Sequence, residues 1–295
     1  MQGLILINAY PNGEKFIRQG ERIAEALRSL GVKADVKRNG EVYALVDEHG
    51  ERKTNVQGYD FVVYLDKDKY LGKTLEESGI RLFNSARAVE ICDDKMLTYL
   101  ALKNAGVRLI KTIAAPLCYT PNAVVEEKFL NFVASELGFP LVVKKSYGSF
   151  GAGVQLVHGM PELRLAAQNC LYEPHFFQQY ISASAGKDIR VIVVGGKAIA
   201  AMERVAQKGE FRSNIELGGV GKNITLTEEY RTAAERAATS LRLDYCGVDL
   251  LETDEGPILC EVNSNAFFEG LEKTTGVNVA AAYAEHIVVS VSQQK

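Results

Sequence analysis

The chain has 295 residues, 47% hydrophobic, 24% charged and 8% aromatic, with a formal net charge of −3. A chain of this size buries a sizeable core and divides into two or three domains. The charge balance leaves no basic footprint for nucleic acid or anionic membrane, and the early apolar run Leu4 to Ile7 is too short for a signal peptide or a membrane span. The five cysteines lie too far apart for a CxxC pair or a zinc cluster, so a cytoplasmic protein with reduced thiols is expected.

In chain order, Leu4–Asn8 reads as a strand, Glu14–Leu30 as a helix with Ile17, Ile23, Ala24, Leu27 and Leu30 on one face, and Phe61–Leu65 as a second strand. Gly31 stands where a helix C-cap glycine belongs. An α/β domain with a mostly parallel sheet follows. Its first turn, Asn8-Ala9-Tyr10-Pro11-Asn12-Gly13, lacks the G-x-G-x-x-G spacing that a dinucleotide pyrophosphate needs, so no nicotinamide or flavin site is expected. A helix is expected from Ala86 to Ala105, ended by Gly106. Beyond it the pattern turns α+β: strands at Pro140–Lys145, Gln155–Val157, Ile189–Val194, Ala198–Arg204, Gly247–Glu252 and Ile258–Val262, with helices at Val125–Leu137 and Glu228–Leu241.

Two stretches carry chemistry. Pro140 to Val154 is a buried strand ending in Lys144 and Lys145, followed by a turn containing Gly148, Gly151 and Gly153. Backbone N–H groups of such a turn converge on an anion, and the lysine adds fixed positive charge, so phosphate is the natural guest; a flexible hairpin with a surface lysine is the rival reading. The second stretch, Gly247-Val-Asp249 to Glu261-Val-Asn263, reads as a hairpin whose apolar strands are interrupted by Asp249, Glu261 and Asn263. Glu261 and Asn263 share a face. With residues 253 to 257 as the connection, Asp249 lies opposite Glu261 at about 5 Å. Carboxylates that close repel, a cation is the expected remedy, and all-oxygen ligands favour magnesium over zinc.

Lys95, Lys144, Gln178-Gln179-Tyr180-Ile181, Asp188-Ile-Arg190, Glu203-Arg204, Phe211-Arg-Ser-Asn214, Gly247-Val-Asp249 and Glu261-Val-Asn263 occur in the order seen in ATP-grasp ligases. Together they resemble the RimK branch, which includes glutamate ligases and lysine-biosynthesis ligases. The resemblance implies a Rossmann-like pre-ATP-grasp domain over residues 1–88 and a two-subdomain ATP-grasp fold over 89–295, with a central lid at about 112–179 and a metal-binding subdomain at about 180–295. It implies ATP contacts from Lys95, Lys144, Ser149, Gly151 and Gly153, an adenine hinge at Gln178 to Ile181, and a ribose contact from Asp188. Magnesium, or manganese in its place, would be held by Asp249, Glu261 and Asn263. Arg204 is the candidate for the γ-phosphate and transition-state charge, Arg190 is a second catalytic candidate, and Arg212 and Asn214 are candidate substrate contacts.

The activity implied is ATP-dependent joining of a small-molecule or peptide carboxylate to an amino acid such as glutamate, through an acyl phosphate. A small-molecule kinase using the same ATP site, a non-catalytic ATP-binding regulator and a homo-oligomer remain open. No covalent enzyme intermediate is needed, so Cys246 and Cys260 are read as packing residues and the four histidines as structural or surface groups. One departure concerns the segment after the metal asparagine. Many relatives continue Asn-x-x-Pro-Gly there; this chain has Asn263-Ser-Asn-Ala-Phe-Phe-Glu-Gly270, which puts aromatic bulk at the turn.

Overall fold

The computed structural model describes residues 1–10, 13–213 and 218–293. Strand β1 (Gln2–Ile7) leads into helix α1 (Glu14–Ser29) and β2 (Lys33–Arg38), then a small hairpin of β3 (Leu45–Val46) and β4 (Arg52–Lys53), and then β5 (Phe61–Leu65), α2 (Lys69–Glu77) and β6 (Arg81–Phe83). Strands β2, β1, β5 and β6 lie side by side in that order, all parallel. Their near-continuous apolar runs reflect burial on both faces. Ile5, Ile7, Phe61, Val63 and Phe83 enter one core, and Leu4, Leu6, Val62, Tyr64 and Leu82 the other.

Helix α1 covers the first of these faces through Gly20, Ile23, Ala24 and Leu27. A side chain at position 20 would place its Cβ 3.2 Å from the Ile7 Cγ2, so glycine there lets helix and strand approach closely. Ile17 and Leu30, expected on the same face, are exposed at 38% and 44%, because one stands in the first turn and the other caps the helix beyond the core. Gly31 follows in the left-handed conformation (φ 79°) and donates to the Arg28 carbonyl.

The helix expected over Ala86–Ala105 is divided into α3 (Ala86–Asp93) and α4 (Lys95–Ala101). Asp94 causes the break, since its carboxylate accepts from the backbone N–H groups of Met96 and Leu97 and so starts a new helix. The second sheet is built from β7 (Thr112–Ala114), α5 (Glu127–Leu137), β8 (Leu141–Lys145), β9 (Val154–Val157), α6 (Met160–Cys170) and β10 (His175–Gln179). Its antiparallel strands run β7-β10-β8-β9. Both helices cover one face, where Leu130, Val133, Leu163 and Ala166 meet Leu141, Val143 and Phe177.

The remainder comprises β11 (Lys187–Val194), β12 (Lys197–Val205), β13 (Val220–Asn223), α7 (Glu228–Ser240), β14 (Tyr245–Thr253), β15 (Gly256–Asn263), α8 (Glu269–Thr275) and α9 (Val279–Ser292). The strands form an antiparallel sheet in the order β13-β12-β11-β14-β15. One face packs on α7. On the other, Ile192, Val194, Ala200, Met202 and Tyr245 share a single core with α1, α9 and the first sheet.

The boundary expected at residue 88 therefore falls inside α3, and the first sheet completes one of its cores with α9, from the far end of the chain. Tyr283 and Ile287 of α9 are almost wholly buried there, each contributing roughly 1.5–3 kcal/mol. Asn84 fastens the same junction. Its side-chain amide donates to the carbonyls of Tyr245 (2.7 Å) and Ser264 (2.9 Å), and its oxygen accepts from the N–H groups of Asp244 (2.7 Å) and Tyr245 (3.0 Å). Among the described residues no helix is long and apolar enough to cross a membrane.

Candidate active site

On the face of the third sheet that forms the shared core, alternate positions carry apolar residues at one end and charged residues at the other. Ile192 and Val194 give way to Arg190 and Asp188 on β11, Met202 to Arg204 on β12, and Tyr245 to Asp249 on β14. The register sets Asp188 opposite Arg204, Arg190 opposite Asp249, and Asp249 opposite Glu261. Arg190 holds Asp249 with two hydrogen bonds of 2.6 Å each, and Arg204 reaches the same carboxylate at 2.8 Å. Arg204 also pairs with Asp188 at 2.7 and 2.5 Å, and the Ser213 hydroxyl donates to Asp188 at 2.7 Å.

The repulsion expected between Asp249 and Glu261 is countered by the guanidinium groups of Arg190 and Arg204 beside Asp249. Burial acts to raise the Asp249 carboxyl, but Arg190 and Arg204 outweigh it and hold Asp249 below the usual carboxylate range. Asp188, expected at a ribose, is committed to Arg204 and Ser213 and is buried.

The hairpin is also tighter than expected. Thr253 pairs with Gly256 around Asp254 and Glu255, a register that on its own would set Cys260 opposite Asp249. A β-bulge at Cys260 inserts one residue and brings Glu261 back opposite Asp249.

A divalent cation fits this donor set. A carboxylate has about four acceptor sites; the three guanidinium contacts to Asp249 leave one. Glu261 accepts from the Asn263 amide at 2.8 Å through one oxygen and keeps the other, and the Asn263 amide oxygen is a further neutral donor. Among the described residues no group of three or more His, Cys, Asp or Glu side chains is placed to hold a metal ion.

Between the second and third sheets lies a cavity with apolar walls from Ile110, Val142, Ile181 and Leu251 and polar ones from Lys95, Lys144 and Glu261. Lys144 on β8 lies 3.8 Å from the Cys260 sulfur. Cys260, expected as packing only, lines this cavity because the bulge places it there; burial pushes its thiol up to about 11. Cys246 is wholly buried in the core. Gln179, Tyr180 and Ile181 line the cavity where β10 leaves the second sheet, and the Gln179 N–H is donated to the Lys111 carbonyl. Gln178 turns its amide inward to Tyr99 (2.9 Å) and Thr112 (3.0 Å).

The glycine-rich turn covers this cavity and is held by three cations. Lys95 donates to the Gly148 carbonyl (2.7 Å), Lys67 to the Ser149 hydroxyl (3.3 Å) and Arg212 to the Gly151 carbonyl (3.0 Å). Burial chiefly pulls the Lys95 ammonium below its ordinary range, while Glu261 opposes that shift. Arg212, expected at the substrate, lines the cavity and is clamped there to Glu210. Ser149 and Gly151 line the cavity; Gly153 instead closes the hairpin base, where its carbonyl accepts from the Lys145 N–H. Asn214 lies outside the described residues, as do Pro11 and Asn12 of the first turn.

A second cavity, of about 250 Å³, adjoins the first and shares Ser149, Phe150, Arg204 and Glu261 with it. Sequence reasoning missed its other wall, made by Asn8, Gln19, Asp66 and Lys67 of the N-terminal segment with Phe16, Phe150 and Phe267. The signal was the polar Asp66-Lys67-Asp68 directly after the apolar strand Phe61–Leu65, since ligands of parallel sheets gather at strand carboxyl ends. Phe150 carries a positive φ of 59° and sits beside Phe267 (6.1 Å between ring centres), with the Lys15 ammonium 3.8 Å from its ring.

The chain is similar to known proteins in sequence and in fold. The RimK-like ATP-grasp domain matches residues 92–287. A probable alpha-L-glutamate ligase of Pseudomonas putida is 37% identical over 217 residues, 73% of this chain and 69% of that protein. Human beta-citrylglutamate synthase B is 35% identical over 228 residues, 76% of this chain, and the chain spans only 57% of that relative's length. In fold, the chain is similar to the D-alanine–D-alanine ligase from Bacillus anthracis complexed with ATP, with a TM-score of 0.74 at 19% identity, over 100% of this chain and 98% of that one.

Proposed function

The chain belongs to the RimK-like ATP-grasp family, and from that premise we propose that it is a magnesium- and ATP-dependent ligase joining a carboxylate to the amine of an amino acid such as glutamate. The observation that carries this reading is the row Arg204, Arg190, Asp249, Glu261 and Asn263, which lies where the cavity beneath the glycine-rich turn meets the second cavity. Such a row offers paired cationic and anionic groups at a point where a phosphoryl group and a second substrate can meet.

In this reading the adenine lies among Ile110, Val142, Ile181, Leu251 and Cys260, and Lys95 and Lys144 extend toward the phosphates. Magnesium, held by Asp249, Glu261 and Asn263, would neutralise phosphate oxygens. A carboxylate oxygen attacks the γ-phosphorus as ADP leaves. The substrate ammonium gives up one proton, its nitrogen then attacks the carbonyl carbon, phosphate departs with the bonding electrons, and the nitrogen loses a second proton to give the amide. Arg204 and Arg190 stand where both steps build negative charge, and guanidinium groups remain protonated throughout. Asp188 serves by fixing Arg204 rather than by touching the ribose. The glycine-rich turn exchanges its contacts with Lys95, Lys67 and Arg212 for phosphate contacts as nucleotide enters. The five cysteines, all unpaired, support a cytoplasmic location.

The test is ADP and phosphate release by the purified chain with magnesium-ATP and a panel of amino acids and carboxylates, with mass spectrometry on the same mixtures. Amine-dependent ADP together with a product lighter by one water than its two substrates is the expected result. A phosphorylated product would point to a kinase, and ATP binding without turnover across the panel would point to a regulator.

A further inference from the structure

Three buried polar side-chain atoms among the described residues have no hydrogen-bond partner: Gln19 Oε1, Asp66 Oδ2 and Arg81 Nε. The two acceptors belong to residues that line the second cavity. Asp66 is 3% exposed and Gln19 7%, so each is a polar group taken out of water with acceptor capacity unused. Everything else about the two side chains is fixed. Asp66 Oδ1 accepts from the Asn8 amide (2.9 Å) and from the N–H groups of Lys67 (2.6 Å) and Asp68 (3.3 Å), and Gln19 Nε2 donates to the Ala266 carbonyl (3.2 Å). Asn265 further ties the Asp66 backbone to the metal-side strand through the Asp66 carbonyl (3.0 Å).

The position in the fold points the same way. Asn8 and Asp66 follow the carboxyl ends of β1 and β5, neighbours whose onward connections run to opposite edges of the sheet, β2 on one side and β6 on the other. That is the topological switch point, where a parallel sheet opens a crevice for ligand. The cavity shares Arg204 and Glu261 with the nucleotide cavity, so a group held here stands next to the phosphoryl-transfer row.

Two unsatisfied acceptors on residues that line one pocket, one of them a carboxylate, call for a ligand with several donors and positive charge. We propose that this cavity receives the amine substrate as a primary ammonium, with the Asp66 carboxylate and the Gln19 carboxamide as its acceptors. The inference rests on the ligase reading above and names the N-terminal residues that select the amine. Phe16, Phe150 and Phe267 form the apolar wall against which the body of the amino acid lies.

Binding calorimetry on the full chain tests this directly. Twenty L-amino acids, and N-acetylated forms of those that bind, are titrated into protein holding magnesium and the non-hydrolysable nucleotide AMPPNP. AMPPNP affinity is measured separately as the control for fold and nucleotide site. The expected result is that at least one free amino acid binds, that its N-acetyl form binds at least about tenfold more weakly, and that Asp66→Asn and Gln19→Leu each weaken the free form by about tenfold with AMPPNP affinity unchanged. Equal binding of free and acetylated forms, undiminished binding in Asp66→Asn, or no amino acid binding beside normal AMPPNP binding would each overturn the ammonium site. Failure of the ligase reading would show instead as absent AMPPNP binding or absent amine-dependent ADP release.

Discussion

Asp249 and Glu261 face each other across β14 and β15 because Cys260 is bulged out of register between Leu259 and Glu261. The two carboxylates have different surroundings. Asp249 is enclosed by Arg190 and Arg204, whereas Glu261 is half-buried and, among the side chains of the described residues, bonded to Asn263 alone.

This contrast gives a paired prediction. Glu261→Gln keeps the shape and loses one charge, so turnover falls by about a hundredfold or more with stability nearly unchanged. Asp249→Asn leaves two buried guanidinium groups short of a counter-charge and costs about 3–5 kcal/mol of stability as well as activity. Urea denaturation beside ADP release checks both; equal loss of stability in the two variants would contradict the structural role assigned to Asp249.

Phe150 holds the tip of the glycine-rich turn against Phe267 and beneath Lys15. Phe150→Ala should loosen that cover and admit water to the phosphoryl group, raising ADP release in the absence of amine while lowering amide yield per ATP. An unchanged ratio of amide to ADP would show that the ring does not seal the site.

His175 is 5% exposed, its Nδ1 lies 2.8 Å from the Glu173 carbonyl, and burial pulls its pKa below the ordinary histidine value. A carbonyl only accepts, so Nδ1 carries the proton of the neutral ring. Below about pH 6.5 the unfolded chain takes up a proton that the fold resists. Stability from this group is therefore present above that pH and declines as pH falls toward the lowered folded value. Chemical denaturation between pH 7 and 5 should show that slope, and His175→Gln should flatten it.

Asn84 has four hydrogen bonds, all to the backbone of the segment around β14 and β15. Asn84→Ala strands those buried groups at about 1–3 kcal/mol each, less whatever water can enter. Hydrogen exchange should quicken in β1, β5, β11 and β14 together. Faster exchange confined to the first sheet would mean that the two sheets do not share one cooperative core.

Much of the fold was legible because each element repeats a period: β8, β11, β12, β14 and β15 carry runs dense in apolar residues, and Gly31 and Asp249 stand at informative points. The division at Asp94 was hidden because one side chain capping two N–H groups outweighs twenty residues of helical pattern. The charged row was legible as a set of residue types, but its pairing was not. Which guanidinium meets which carboxylate depends on cross-strand register, and the bulge at Cys260 that fixes it leaves no period in the sequence. Asp66 had a signal in the polar run after β5, but its partnership with Gln19 had none, since 47 positions separate them and only the fold brings them to one cavity.

The shared core has a consequence for how the molecule is made. At roughly 5–20 residues per second, a ribosome completes β5 about ten to forty-five seconds before α9 emerges. During that interval Ile5, Ile7, Phe61 and Val63 lack the layer formed by Tyr283, Ala284 and Ile287. The N-terminal sheet is thus obliged to wait as an incompletely covered nascent layer, and that core is complete only when the last helix closes over it.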